Sequence, residues 1–334
     1  MTEGRESLRI VISNSMMTWG GGENWSLTAA SGLAERGHDV VLVCRPGSEL
    51  ERRASGCSPA RVRTIGIRGD LNPAVVASGI GLFRRHRTQL ACCNLDREVR
   101  TLGLAARLAG GIVFVRRRGS DYGFKNSLRY RLTYRWLVDW VIVNSLSTRN
   151  SILRKNSWIS AERLRLVYNG IDTERFRPDR PAGEAVRANH AVPGDALLVG
   201  IVGSLLPRKR HSVLFEACAS LRSRWPSLRV AVVGSSPSPG HLSRLRRLAE
   251  TLGIGDIVIF AGQTGEPAAW YNALDILAMP SENEGFGYAA AEAMACGVPV
   301  VVSDASSLPE VAGTDGSAGL ISRLDDPAGL KACI

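Results

Sequence analysis

Two acidic residues in a glycine-containing segment carry the strongest chemical signal in the sequence. The segment reads Pro280-Ser-Glu-Asn-Glu284-Gly-Phe-Gly-Tyr-Ala-Ala-Ala-Glu292-Ala-Met-Ala-Cys-Gly-Val-Pro-Val300. An apolar run before it reads as a strand, and the alanine-rich stretch inside it reads as a helix. Gly285 and Gly287, on either side of Phe286, let backbone approach a ligand. The N–H groups that open a helix favour an anion. Glu292 lies eight residues beyond Glu284, ~12 Å along a helix at 1.5 Å per residue. A glycosidase pair needs its carboxylates ~5–9.5 Å apart. The spacing suits two acids that grip different hydroxyl-bearing parts of one long ligand.

Two further clusters follow apolar runs. Val202-Gly-Ser-Leu-Leu-Pro-Arg208-Lys209-Arg210 sets three cations beside an expected helix start. The helix dipole disfavours a merely structural basic cluster there. Gly20-Gly-Gly22-Glu23 sits between a strand and a helix, and reads equally as a phosphate-side loop or a tight turn. It is not a Gly-x-Gly-x-x-Gly fingerprint, and no Gly-Lys-Ser/Thr loop occurs, so a dehydrogenase or NTPase is poorly supported. No Asp-x-Asp triplet occurs, and the histidines form no metal-ligand pair.

The segment around Glu284 and Glu292 resembles the Glu-x7-Glu motif of the retaining glycosyltransferases of family 4, over some twenty positions. The resemblance implies the two-domain GT-B fold. It implies that Glu284 meets the donor sugar hydroxyls, Glu292 the ribose hydroxyls, and the Gly285–Gly287 amides the sugar and diphosphate. Lys209 falls on the family's diphosphate-binding lysine. Ser204 stands where many members carry arginine, a charge that Arg208 or Arg210 would restore. Gly20, Gly21 and Gly22 resemble the family's loop over the donor diphosphate. Asn169-Gly-Ile-Asp172 resembles the turn that ends the first domain, and Glu310 in Leu308-Pro-Glu-Val311 reads as structural. Many members carry a histidine after the fifth strand. Here Arg118, or Arg117, comes near that place. Arg116 to Arg118 read either as hydrogen-bond donors in its stead or as a basic rim.

The implied reaction is metal-independent transfer from a UDP- or GDP-sugar to a hydroxyl acceptor, such as a lipid-linked glycolipid or cell-envelope polysaccharide precursor. The nucleotide sugar is a co-substrate, and no other cofactor and no metal is expected. The leaving phosphate takes the acceptor proton, so no protein base is required. Two alternatives stand beside this reading: a GT-B epimerase acting without an acceptor, and a decayed, non-catalytic sugar-nucleotide-binding protein.

These residues need elements to hold them. Strand-sized apolar runs begin near Leu8, Val40, Val62, Gln89, Ile112, Trp140 and Leu164, and again near Leu197, Leu228, Ile257, Ile276, Val298 and Gly319. Helix-sized segments separate most of them, the pattern of doubly wound α/β domains with parallel sheets. The expected organisation is an acceptor-side domain over 1–172, a linker over 173–194 rich in Pro, Arg and Asp, and a donor-binding domain over 195–334. Ligands of such sheets sit at the carboxyl ends of the strands, so the two domains are expected to face a common cleft.

Charge divides the same way. Residues 1–180 hold 30 Lys and Arg against 16 Asp and Glu, while residues 181–334 hold 12 against 15. A basic first half fits an anionic membrane surface or a phosphorylated acceptor, or a solvated arginine-rich surface. No nucleic-acid motif accompanies it. The first seven residues are polar with both signs of charge, unlike a signal peptide, and no run reaches the ~20 apolar residues of a membrane span. Seven cysteines without a Cys-x-x-Cys pair suggest a reducing cytoplasm, with the inner membrane face as a peripheral site. After Asp325-Asp-Pro327 a helix is expected to start, and the chain ends within about two turns. Family members continue further. The expectation is a truncated product with an exposed apolar patch on the second domain, looser domain coupling and low activity.

Overall fold

β-branched runs at regular intervals form strands covered on both faces, so the sheets are built from continuous apolar segments. The computed structural model describes residues 6–236 and 238–334. Residues 1–5 of the polar N-terminus and the Cys57 side chain lie outside the described residues. The chain divides into two compact units, one ending at Asn169 and the other running from Gly170 to Ile334.

The first unit holds seven strands: β1 (Arg9–Asn14), β2 (Asp39–Cys44), β3 (Arg61–Thr64), β4 (Leu90–Cys93), β5 (Val113–Arg118), β6 (Trp140–Val143) and β7 (Leu164–Leu166). They pair in parallel in the order β3-β2-β1-β4-β5-β6-β7. Val11, Val41 and Phe114 pack one face of this sheet, and Ile10, Ile12 and Leu42 pack the other.

The second unit repeats the plan with β8 (Leu198–Val202), β9 (Arg229–Val233), β10 (Val258–Gly262), β11 (Ile276–Met279), β12 (Val300–Ser303) and β13 (Gly319–Ser322). Their order is β10-β9-β8-β11-β12-β13, again parallel. Each sheet therefore reverses strand order once, between β1 and β4 and between β8 and β11. The carboxyl ends beside such a reversal are where open α/β sheets place ligands.

Two local readings change. β5 runs to Arg118, three residues past the apolar run, so Arg116 to Arg118 are strand residues. The stretch 173–194, read as a linker, contains the helix Arg180–Asn189, packed on the helix Pro267–Ala273. Its proline signal misleads because Pro181 occupies the first turn, where no intrahelical N–H is lost, and Asp179 caps it by accepting from the Ala182 N–H at 3.0 Å. The last helix, Pro327–Cys333, is capped by Asp326, which accepts from the Gly329 N–H at 2.9 Å. It packs on the helix His211–Leu221 and buries Leu330 completely. Large exposed apolar side chains lie mostly in the first unit, among them Leu128, Trp136 and Leu71; in the second unit they are Trp225 and Leu320. No helix among the described residues is long and apolar enough to cross a membrane.

Candidate functional site

The strand reversal of the second sheet assembles the site from two loops. After β8 the chain enters the 3-10 turn Pro207–Lys209 and then the helix His211–Leu221. After β11 it runs through residues 280–287 into the helix Tyr288–Ala295. β8 and β11 are paired neighbours, so these loops emerge side by side. The Glu282 N–H donates to the Arg208 carbonyl at 2.8 Å. Lys209 Nζ reaches Glu284 Oε1 at 2.6 Å, with side-chain exposures of 10% and 12%. Arg208 Nη1 donates to the Asn283 carbonyl at 2.6 Å and lies 3.5 Å from Glu284 Oε1.

Hydroxyls fix the acid's backbone. The Glu284 N–H donates to Ser306 Oγ at 3.2 Å, and its carbonyl accepts from Ser306 Oγ at 2.5 Å and Ser307 Oγ at 2.9 Å. Gly287 caps the following helix at φ 96°, and a Cβ there would lie 2.9 Å from Leu308 Cδ2. Only glycine meets both demands. Glu284 therefore lies in the loop ahead of the helix, and the ~12 Å separation expected for two acids on one helix does not apply. Phe286 is buried with its ring edge-on to Tyr288 at 5.4 Å, between Gly285 and Gly287.

Glu292 is on the helix itself. Its Oε2 accepts from the Tyr271 hydroxyl at 2.7 Å. Burial raises its pKa, and the Tyr271 bond and the charges of Arg175 and Lys209 oppose the rise. Lys209 thus touches one acid and acts electrostatically on the other. Arg210 turns away: at φ 52° it pairs with Glu282 at 3.1 Å and Asp325 at 3.2 Å. Of the two arginines considered as a replacement for the charge missing at Ser204, Arg208 is the one beside the pair. His211 is buried just after these cations. Burial first, then Lys209 and His241, push its pKa down to about 4.

The remaining expected residues lie in the first unit. Gly20 caps the helix Gly21–Glu35 in an extended conformation, with Gly21 and Gly22 as its first residues. The Ser26 hydroxyl donates to the Gly22 carbonyl at 2.8 Å, and Asn14 Nδ2 donates to Glu23 Oε1 at 2.9 Å. Glu98 is fully buried and ties the loops after β1 and β4 together. It accepts from the N–H groups of Ser15, Asn94 and Leu95 at 2.5, 2.9 and 3.1 Å. Burial pushes its pKa up.

The arginine run is no simple rim, because Arg116 and Arg117 are buried. Arg116 Nε pairs with Asp96 Oδ1 at 3.2 Å. Arg117 lies 4.8 Å from the Trp25 ring and donates to Asn169 Oδ1 at 3.3 Å. Arg118 ends β5 and donates from Nε and Nη2 to the Tyr122 carbonyl at 3.2 and 2.9 Å. Burial lowers its pKa, and Arg116 lowers it further.

Comparison with known proteins decides the family. Residues 19–175 match the model described as Glycosyltransferase Family 4, and residues 183–332 match Glycosyl transferases group 1. The chain belongs to glycosyltransferase family 4. A D-inositol 3-phosphate glycosyltransferase of Streptomyces bingchenggensis is 36% identical to this family 4 chain over 199 residues, 57% of this chain and 43% of that relative. Its counterpart in Streptomyces avermitilis is 38% identical over 202 residues, 57% of this chain and 42% of that protein. The matched stretch thus spans a little under half the length of these relatives. Among solved structures, a glycosyltransferase from Rickettsia africae superposes with a TM-score of 0.87 at 18% identity, over 98% of this chain and 87% of its own. Anabaena HepE in complex with UDP and glucose gives 0.80 at 19%, over 97% and 88%. The family 4 chain shares their fold.

Sequence reasoning missed Tyr271, Ser306, Ser307 and Glu98. Tyr271 looks like one more core aromatic, and nothing local signals where its hydroxyl goes. Glu98 carried a faint signal, an acid in the first turn of the helix Asp96–Ala109. Among the described residues no group of three or more His, Cys, Asp or Glu could hold a metal ion. Cys44, Cys92, Cys93, Cys218, Cys296 and Cys333 are free thiols.

Proposed function

We propose that this chain transfers a sugar from a nucleoside-diphosphate sugar to a hydroxyl acceptor, with retention of configuration and without a metal. The observation that carries the reading is the Lys209–Glu284 pair at 2.6 Å, set at the strand reversal with Glu292 nearby. A cation and two acids in one place suit a diphosphate flanked by two polyhydroxylated groups. Lys209 and Arg208 face the diphosphate, Glu284 accepts from the sugar hydroxyls, and Glu292 accepts from the ribose hydroxyls. The Gly285–Gly287 backbone lets the ligand approach.

In the reaction, the bond between the anomeric carbon and the phosphate oxygen breaks while the acceptor oxygen bonds that carbon from the same face. The acceptor proton passes to the released phosphate oxygen. Lys209 stabilises the charge that develops there, and fixed donors in a water-poor site do this without a metal. Arg118 and the Gly20–Gly22 loop, both in the first unit, keep their proposed roles as hydrogen-bond donor and phosphate-side loop.

HepE is described with UDP and glucose, and the relatives act as D-inositol 3-phosphate glycosyltransferases. They favour a UDP-sugar over a GDP-sugar and a polyol or phosphorylated polyol as acceptor. A membrane-side acceptor has one observation of its own: Leu128, Leu132 and Trp136 are exposed at four-residue spacing on the helix Leu128–Leu137, among Arg129, Arg131 and Arg135. That pattern suits an anionic bilayer at the inner face of a cytoplasmic membrane.

The test is product analysis with UDP- and GDP-sugars, with and without polyol acceptors. An α-linked product from an α-linked donor supports the reading. An inverted product overturns retention. Epimerised sugar formed from donor alone identifies an epimerase, and binding without turnover identifies a decayed transferase.

A further inference from the structure

A concentration of unneutralised charge lies away from the donor motifs. A cavity of about 810 Å³ opens in the first unit, between the helix Pro73–His86 and the edge strand β3, and reaches Arg9 of β1 and Asp39 and Val41 of β2. None of Gly20, Gly21 and Gly22 lines it. Five arginines line it: Arg9, Arg61, Arg63, Arg85 and Arg87. Its one acid, Asp39, already pairs with Arg61 at 2.5 Å and lies 3.4 Å from His86 Nε2. Among the described residues, no carboxylate is within ion-pair distance of Arg9, Arg63, Arg85 or Arg87.

The local construction holds these groups in place. Arg9 Nε donates to the Arg87 carbonyl at 2.7 Å. The Arg85 guanidinium folds back over Gly81, where a Cβ would come within 3.3 Å of it. Arg87 caps the helix in the left-handed conformation at φ 50°, which glycine or asparagine adopts more easily. Val41, Ile65 and Leu82 give the cavity an apolar floor. Clustered like charges repel unless a counter-anion sits among them. Guanidinium groups match phosphate oxygens in a two-point geometry that ammonium groups lack. The volume is that of a small-molecule site.

We propose that this cavity is a second ligand site, distinct from the donor site, that binds a phosphate ester. The proposal does not depend on the transferase reading. It gives a role to Arg85 and Arg87, which the donor chemistry leaves unused.

The experiment titrates the full chain with inorganic pyrophosphate by calorimetry, with and without saturating UDP. With saturating UDP filling the donor site, wild type and Lys209→Ala are each expected to bind one equivalent alike. The exposed double variant Arg63→Ala/Arg85→Ala is expected to bind at least tenfold more weakly, with the same UDP affinity and melting temperature as wild type. Undiminished binding by the double variant overturns the proposal. So does loss of pyrophosphate binding in Lys209→Ala, which returns the anion to the donor site. Two further arms identify the source, both read against the double variant. Dihexanoyl phosphatidic acid binding at least tenfold tighter than glycerol 3-phosphate assigns the site to a lipid phosphate with its chains on the apolar floor. Equal affinity assigns it to a soluble ester. Failure of both ligands to respond to the double variant overturns the site.

Discussion

The Lys209 ammonium lies 2.6 Å from Glu284 Oε1, and each side chain is about nine-tenths buried. Without ligand the two groups neutralise each other. A buried pair is costly to break on one side only, because the remaining charge has no partner. A ligand that offers phosphate to the lysine and hydroxyls to the acid can separate them without stranding either.

Glu284→Gln should therefore leave UDP affinity nearly unchanged and reduce transfer by roughly a hundredfold. Lys209→Ala should weaken UDP by at least tenfold, ~1.4 kcal/mol. Calorimetry and a transfer assay check both. Equal losses of UDP affinity in the two variants would show that the groups do not have separate roles.

Tyr271 acts through Glu292. Tyr271→Phe removes a hydrogen bond to a buried carboxylate, a contact worth ~1.5–3 kcal/mol when the acceptor is charged. The expected result is weaker UDP binding, with little further loss when Glu292→Ala is added, since the two share one interaction. Additive losses in the double variant would separate the tyrosine from the acid's function.

Donor binding should survive chelation. Lys209 and Arg208 supply the positive charge within the second unit. UDP titrations with and without EDTA should agree. A tenfold loss on chelation, ~1.4 kcal/mol, would rule out metal-free binding.

His211 makes stability depend on pH. Its folded pKa falls from 6.5 to about 4, with burial as the main cause. The unfolded state then binds more protons between those values, so stability is full above pH 6.5 and declines as the pH falls toward 4. The loss at pH 5 relative to pH 8 is about 2 kcal/mol. Glu98 and Glu292, whose pKa values are raised by burial, contribute with the opposite sign. The measurement is therefore the difference between wild type and His211→Gln across denaturation curves from pH 4 to pH 8. The wild type should lose more stability on acidification, and parallel curves would contradict the assignment.

The strands were legible because a parallel strand covered on both faces must be apolar throughout, and that requirement is local. Gly287 was legible for a similar reason, since a positive φ beside a helix start leaves glycine as the fitting residue. Local signals failed where partners are distant in sequence. β5 continues through Arg116 because Asp96, twenty residues earlier, accepts its charge. The helix Arg180–Asn189 hid behind a proline that helices tolerate in their first turn.

By itself, the sequence determined two parallel α/β halves and the residue types of the donor motif: Lys209, Glu284, Glu292 and their glycines. Tertiary structure alone decided which of them touch. The pairing of β8 with β11 brings Lys209 to Glu284, Tyr271 reaches Glu292 across 21 residues, and Arg208 rather than Arg210 stands beside the pair. The physical reason is range. Backbone propensity and burial act over a few residues and are written into local composition, whereas ion pairs and buried hydrogen bonds depend on which strand ends become neighbours when the sheet closes.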